Sequence, residues 1–231
     1  MGTLFVVATP IGNLEDITFR AVRILSEVDL IAAEDTRQTK ILLNRYNIST
    51  RMTSYHKFNI RSKTPYLIEL LKGGQNIALV SDSGMPGVSD PGHEIIRAAA
   101  DQNIRVEVIP GPSAAISALV VSGLPTDKFV FLGFLPKKPG KKKKVLETLK
   151  NENGTIIIYE SPYRLVKTLA DIQKTLGERQ VAVCRELTKK FEEIIRGRAG
   201  EVLEKLKDRK VKGEVVVVVS GSSQATQRES A

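Results

Sequence analysis

Short apolar runs alternate with segments of helical periodicity along this chain, and no other feature constrains its fold as strongly. In the first half, apolar runs predict strands at residues 4–8, 29–35, 76–82 and 105–109. Apolar residues at helical spacing predict helices at residues 17–28, 36–46, 66–71 and 92–100. Strands that alternate with helices form a parallel sheet that is covered by helices on both faces. The first half is therefore predicted to be an α/β domain.

The pattern is interrupted once and then resumes in the second half. After Pro110-Gly111-Pro112, a helix of small residues is predicted at 113–122. Further strands are predicted at residues 129–134, 155–159, 181–184 and 215–220, and further helices at residues 145–150, 164–176 and 202–207. We expect an N-terminal α/β domain at 1–112, a connecting helix and linker at 113–124, a C-terminal α/β domain at 125–221 and a disordered polar tail at 222–231.

The composition excludes several kinds of protein. Hydrophobic residues make up 42% of the 231 residues, but no apolar run approaches the ~20 residues that cross a bilayer, so no membrane partner is expected. Cys184 is the only cysteine, which excludes an internal disulfide and favours a reducing cytoplasm. His56 and His93 lie far apart in the sequence without a second ligand nearby, so no metal site is expected.

Glycine and proline are concentrated where the predicted strands end. The first strand runs into Thr9-Pro10-Ile11-Gly12-Asn13, and the third runs into the twelve-residue loop 81–92. Ligands of open parallel sheets bind beyond these carboxyl ends, and glycine lets the backbone approach a ligand closely. Turn formation explains part of this composition, but it does not require so long a loop. The phosphate motifs G-x-G-x-x-G and G-x-x-x-x-G-K-[ST] are absent, which leaves ligands with few phosphate contacts, such as S-adenosylmethionine.

The basic residues are unevenly distributed. Residues 1–112 carry 12 Lys and Arg and 12 Asp and Glu, so the net charge of +9 lies entirely in residues 113–231. The segment 137–144 contains six lysines. Such a run is either a solvated loop or a surface that neutralises phosphates. We favour contacts with RNA, and we assign them to Lys141, Lys142, Lys143 and Lys144.

Four motifs, in order along the chain, resemble those of a known family. They are TPIGNLEDIT at 9–18, AEDTR at 33–37, SDSGMPGVSDPG at 81–92 and ESPYR at 160–164. From about residue 3 to residue 220, the chain resembles the bacterial 16S rRNA cytidine 2′-O-ribose methyltransferases of the tetrapyrrole (corrin/porphyrin) methylase superfamily. It departs from that family at Lys57, where an acidic residue is common. Relatives are often longer, with a small C-terminal extension, whereas this sequence stops soon after its last predicted strand.

The resemblance implies a fold, a cofactor and partners. The expected fold is that of a class III methyltransferase, with two α/β domains and a largely parallel N-terminal sheet. The expected cofactor is S-adenosyl-L-methionine, and the expected partners are 16S rRNA or the small ribosomal subunit and a second copy of the chain. By matching motifs, the cofactor is expected to contact Pro10, Asp82, Met85, Ser113, Ala114, Tyr159 and Leu187. We add Gly84, because a side chain there would crowd a ligand.

Methyl transfer to a ribose hydroxyl benefits from a base that removes the proton. Glu34 and Asp35, at the end of the second predicted strand, are the candidate bases, with Arg37 beside them. Of the two roles open to Asp35, we favour pairing with Arg37, which would hold the loop. Tyr163 and Arg164 are expected to stack on or grip a nucleotide, although Tyr163 could equally pack on its own helix.

Three functions remain open at the level of sequence. They are an rRNA methyltransferase, a C-methyltransferase of tetrapyrrole or corrin precursors with the same fold, and a non-catalytic RNA-binding module. The basic charge and the motif at 33–37 favour the first over the second, because an anionic macrocycle would require basic residues inside the cleft. The intact glycine- and proline-rich loops argue against the third.

Overall fold

The computed structural model describes residues 1–222, which form two compact units, Met1–Ser113 and a second unit that begins at Ala114. Each unit has its own five-stranded sheet and its own hydrophobic core. The tail predicted at 222–231 lies, apart from Ser222, outside the described residues. Within residues 1–222, no helix is both long and apolar enough to span a bilayer.

The first unit contains a fully parallel sheet with the strand order β3-β2-β4-β1-β5. Its strands are β1 (Thr3–Val7), β2 (Leu30–Ala33), β3 (Met52–Ser54), β4 (Ile77–Val80) and β5 (Arg105–Ile109). Its helices are α1 (Phe19–Glu27), α2 (Thr36–Arg45), α3 (Ile60–Lys72) and α4 (His93–Asp101). The sequence did not predict β3, because a strand of three residues is too short to show an alternating pattern.

Two hydrophobic clusters cover the two faces of this sheet. Ile31 and Ala33 pack with α1 and α2 on one face, whereas Leu30 and Ala32 pack with α3 and α4 on the other. The alternation follows from the two-residue period of a strand. The chain therefore leaves β1 toward one face and β4 toward the opposite face. Because β1 and β4 are neighbours, their junction is the topological switch point of the sheet.

The second unit contains a mixed sheet with the strand order β6-β7-β10-β8-β9. Strands β6 and β7 are parallel, and the other neighbouring pairs are antiparallel. Its strands are β6 (Phe129–Phe134), β7 (Thr155–Glu160), β8 (Gln180–Arg185), β9 (Glu193–Arg198) and β10 (Val215–Val219). Its helices are α5 (Ala114–Ser122), α6 (Pro139–Thr148), α7 (Leu165–Leu176) and α8 (Ala199–Leu206). Two α/β units, the first with a parallel sheet, confirm the predicted fold class.

Two segments of the second unit differ from what their composition indicates. Strand β9 was not predicted, because four of its six residues are charged or glycine. The lysine run lies mainly in the helix α6, whereas a solvated loop was one of the two alternatives for this segment. Helix α6 begins with Pro139, a residue that suits a first turn, and it buries Leu146 against α7.

Candidate functional site

The loops that follow β1 and β4 are joined to each other at the switch point. Thr9 and Gly84 exchange two backbone hydrogen bonds, in which the Thr9 amide donates over 2.9 Å and the Gly84 amide over 3.0 Å. The Thr9 hydroxyl also donates to the carbonyl of Ser81 over 3.0 Å. The two glycine- and proline-rich loops of the first unit therefore form one bound pair at the place where open α/β sheets receive ligands.

The conformation of the loop after β4 depends on all three of its glycines, of which Gly87 has φ 83°. Gly84 has φ 78° and Gly92 has φ 152°, backbone angles that residues other than glycine rarely adopt. A Cβ at residue 92 would lie 2.9 Å from the Gly87 nitrogen, whereas one at residue 84 would lie 3.6 Å from Ile11 Cγ2, an ordinary contact. The backbone conformation alone thus accounts for glycine at position 84, independently of any ligand.

Three carboxylates from two loops meet at this edge. The Asp82 amide donates to Glu34 Oε2 over 3.4 Å, and Asp82 Oδ1 accepts the Asp35 amide over 3.0 Å. Burial, followed by the charge of Asp82, raises the pKa of the Glu34 carboxyl. Burial likewise raises the pKa of Asp82. The site therefore holds acidic groups whose charge is only partly compensated, an arrangement that stabilises a nearby cation.

Asp35 has a different environment from its neighbour Glu34. Its carboxylate caps α2 by accepting the Arg37 amide over 2.9 Å. The Arg37 guanidinium also pairs with both of its oxygens, over 3.0 and 2.6 Å. These hydrogen bonds lower the pKa of Asp35 to about 2. A carboxylate with so low a pKa is a weak base, so this geometry fits a role in holding the loop, and it leaves Glu34 as the better base.

A pocket of about 110 Å³ lies beside these carboxylates. Its lining comes from the β1 loop, α2 and the end of β4, and consists of Thr9, Pro10, Leu14, Gln38, Thr39, Ile41, Leu42, Ser81 and Asp82. Two residues expected at the cofactor, Pro10 and Asp82, are among them. Gln38 and Thr39 were missed, because nothing in the sequence distinguishes them from other polar residues of a surface helix.

The remaining residues expected at the cofactor are distributed over several elements. Met85 is half-buried in the loop after β4. Ser113, which precedes α5, and Ala114, the first residue of α5, are also half-buried. In the second unit, Tyr159 lies in β7 with its ring edge-on to Phe131, at a centroid distance of 4.9 Å. Leu187 is buried just after β8.

The carboxylate at the end of β7 is hydrogen-bonded to groups of the protein itself. Glu160 is buried and accepts hydrogen bonds from the Ser161 amide over 2.7 Å and from the Thr168 hydroxyl over 2.6 Å. Arg164 donates to Glu160 over 3.2 Å and to the carbonyl of Leu135 over 2.9 Å. One nitrogen of the Arg164 guanidinium therefore stabilises the protein in this conformation, and its contact with a nucleotide stays a prediction.

The side chains expected to contact RNA are not equally accessible. Tyr163 is 94% exposed, so its ring does not pack on its own helix. Lys141, Lys143 and Lys144 are exposed, and Lys143 lies 3.7 Å from Glu147. Lys142 is only 4% exposed, and its ammonium contacts Asp171 and the Thr168 hydroxyl. Successive residues of a helix point in different directions, and the side chain of Lys142 points toward the core. Its charge is therefore directed to Asp171 and not to solvent.

A family model described as Tetrapyrrole (Corrin/Porphyrin) Methylases matches residues 3–203. The chain belongs to this methylase family. The predictions of the family and of a methyltransferase are thereby confirmed.

Two relatives are named ribosomal RNA small subunit methyltransferase I. The one from Halalkalibacterium halodurans is 50% identical over 228 residues, 99% of this chain and 79% of the relative. The one from Bacillus subtilis is 51% identical over 223 residues, 96% of this chain and 76% of the relative.

Solved structures of methylases share the fold at low sequence identity. One is the uroporphyrin-III C-methyl transferase of Thermus thermophilus, complexed with S-adenyl homocysteine. It is 18% identical with a TM-score of 0.65, and the match covers 97% of this chain and 100% of that one. This likeness independently confirms the predicted fold class.

Proposed function

We propose that this methylase transfers a methyl group from S-adenosyl-L-methionine to the 2′-hydroxyl of a cytidine in 16S rRNA. The observation that carries the proposal is the identity of about 50%, over nearly the full chain, to relatives named as methyltransferases of ribosomal RNA of the small subunit. The motifs at 9–18, 33–37, 81–92 and 160–164 support the ribose of a cytidine as the methylated group.

The carboxyl edge of the first sheet fits a sulfonium cofactor. The raised pKa values of Glu34 and Asp82 mark an acidic cluster that a positive charge would stabilise. When bound, S-adenosyl-L-methionine supplies an electrophilic methyl group. Pro10, Asp82, Gly84, Met85 and Ser113 of the first unit would hold it. The family resemblance also assigns Ala114, Tyr159 and Leu187 to the cofactor.

Glu34 is the residue that we propose as the general base. A ribose hydroxyl becomes a good nucleophile only as its proton leaves, and a positioned base contributes typically 10²–10⁴-fold to such a step. The raised pKa of Glu34 increases its affinity for that proton. Asp35 acts as a positioning residue, because it fixes Arg37 and the start of α2 beside Glu34.

The basic second half provides surfaces for the RNA. We propose phosphate contacts for Lys141, Lys143 and Lys144, which are exposed, and stacking of a base on the exposed ring of Tyr163. An rRNA substrate implies that the enzyme works in the cytoplasm, in contact with 16S rRNA or the small ribosomal subunit. The family resemblance also supports a homodimer, which sedimentation equilibrium of the purified protein would test.

Mapping of ribose methylation on 16S rRNA tests the proposed reaction. Cells with and without the gene are compared, and the purified enzyme is supplied with radiolabelled S-adenosyl-L-methionine and small subunits from the deficient cells. We expect one cytidine to lose its 2′-O-methyl group in those cells and to regain it in vitro. Label on a base, or on a porphyrinoid but not on RNA, would overturn the proposal.

A further inference from the structure

The pocket beside the carboxylates is too small for a whole cofactor. Pockets that enclose drug-sized ligands measure roughly 300–1,000 Å³. The pocket of about 110 Å³ between the β1 loop, α2 and the end of β4 instead suits one small ring. Four apolar side chains supply its walls, namely Pro10, Leu14, Ile41 and Leu42. Apolar walls of this kind favour a flat aromatic ring over an ion.

The polar groups of the pocket include one that lacks a partner. Thr39 is only 4% exposed, and its hydroxyl forms no hydrogen bond with any residue among 1–222. A buried hydroxyl without a partner is costly, so such groups in folded proteins normally receive one. Two further polar residues, Gln38 and Asp82, line the same space. Together these groups offer both donors and acceptors to the edge of a ring.

The pocket is also connected to the proposed base. Asp82 lines the pocket, and its amide donates to Glu34 Oε2 over 3.4 Å. A ring bound in the pocket would therefore be separated from the carboxylate of Glu34, the proposed base, only by Asp82. In a nucleoside, the ribose is attached directly to such a ring.

We propose that this pocket receives the base of the nucleotide that is methylated, and that the Thr39 hydroxyl hydrogen-bonds to its edge. The inference rests on the proposed function, because it assumes an RNA substrate. Enzymes that do chemistry on a base commonly extrude its nucleotide from the stack into a closely fitting pocket, and we extend that arrangement to an enzyme that acts on the ribose. Thr39 is thus a specificity-determining residue, distinct from the residues that hold the cofactor.

Substitutions of Thr39 isolate the hydroxyl from its surroundings. Thr39→Val keeps the shape and removes the hydroxyl, Thr39→Ser keeps the hydroxyl, and Asn44→Ala changes an exposed residue of α2 outside the pocket. Each enzyme is assayed on two small subunits reconstituted with ligated 16S rRNA. One carries cytidine at the methylated position, and the other carries an abasic ribose that retains its 2′-hydroxyl.

We expect Thr39→Val to lower kcat/KM on the cytidine substrate by about tenfold, the loss of one hydrogen bond to a substrate. On the abasic substrate, parent and Thr39→Val should be equally slow. Thr39→Ser and Asn44→Ala should behave as the parent on both. The melting temperature of Thr39→Val should not fall, since its hydroxyl has no partner to lose, and affinity for S-adenosyl-L-methionine in calorimetry should stay unchanged.

Three outcomes would overturn the inference. An equal loss on both substrates would show that Thr39 does not act through the base. A weaker affinity of Thr39→Val for S-adenosyl-L-methionine would assign the pocket to the cofactor, and a lower melting temperature would give the hydroxyl a structural partner. If the parent transfers no methyl group to either subunit, the proposed function itself fails, and the inference fails with it.

Discussion

Glu34 and Glu160 each lie where a strand ends, one in each unit, yet the protein uses them in opposite ways. Glu160 is buried and accepts hydrogen bonds from Ser161, Arg164 and Thr168. Glu34 is half-buried, receives one long backbone hydrogen bond, and has a raised pKa. A buried carboxylate with several hydrogen-bond donors stabilises the fold. A partly buried carboxylate with few donors has a perturbed pKa and is a candidate for proton transfer. The position at a strand end therefore does not by itself identify a catalytic group.

Replacement of Glu34 should give the largest effect on catalysis. We expect Glu34→Gln to lower kcat by about 10²-fold or more while the stability of the protein is retained, because the variant removes a base that burial disfavours in its charged form. The carboxyl must be ionised to accept a proton, so activity should fall as the pH falls through its pKa. Because that pKa is raised, the loss should begin at a higher pH than for an ordinary glutamate.

The pH profile of kcat and the melting temperature provide the measurement. The acidic limb should disappear in Glu34→Gln, and Glu69→Gln, an exposed residue that pairs with Lys72, should match the parent. Full turnover of the Glu34→Gln enzyme would show that Glu34 is not the base, and the functional contrast between Glu34 and Glu160 would be lost.

Replacement of Glu160 should instead affect stability. Glu160→Ala leaves the buried ends of Arg164 and Thr168 without their acceptor, and removal of one partner of a buried ion pair costs about 3–5 kcal/mol. Since Arg164 is partly exposed, we expect a loss in the free energy of unfolding near the lower limit, measured by urea denaturation. The matched control is Glu204→Ala, whose pair with Lys207 lies on the exposed surface, so its removal should leave the free energy of unfolding nearly unchanged. Unchanged stability with abolished turnover would make Glu160 a functional residue.

The pair of Asp35 and Arg37 should behave as one positioning unit of intermediate effect. We expect Asp35→Asn and Arg37→Ala each to lower kcat/KM by about tenfold, because each releases the loop beside Glu34. Asparagine still caps a helix, so the first variant removes the charge but not the cap. The double variant should be no slower than either single one, the signature of two residues that act together. Additive losses would show that Asp35 contributes independently, as a second base would.

The lysines of α6 should give the smallest effect, and one confined to RNA binding. Lys141 and Lys144 are exposed, whereas the charge of Lys142 is directed to Asp171. We expect the double change of Lys141 and Lys144 to Gln to reduce the log–log salt slope of RNA affinity by about 0.7 for each lost phosphate contact. Lys142→Gln should lower the melting temperature and leave that slope unchanged. A slope altered only by Lys142→Gln would reverse this assignment.

Some of the site could be predicted from the sequence because its signals are local. The loop after β4 is rich in glycine and proline, and all three of its glycines adopt backbone angles that only glycine readily supports. The adjacent Asp35 and Arg37 were expected to pair, and they do. In contrast, the buried Lys142 could not be separated from the exposed lysines around it, because that depends on where Asp171 of α7 lies.

The sequence by itself determined the two-unit α/β fold and the strand ends at which we propose that a ligand binds. It did so because apolar periodicity and turn residues act within a few residues of each other. Only the tertiary structure decided which carboxylate is free to act and which hydroxyl is buried without a partner. Glu34 acquires its raised pKa from burial and from Asp82, 48 residues away, and Thr39 reaches the pocket only because α2 packs beside the β1 loop. Burial and partners across such separations depend on how strands are ordered in a sheet, and no local pattern of residues records that order.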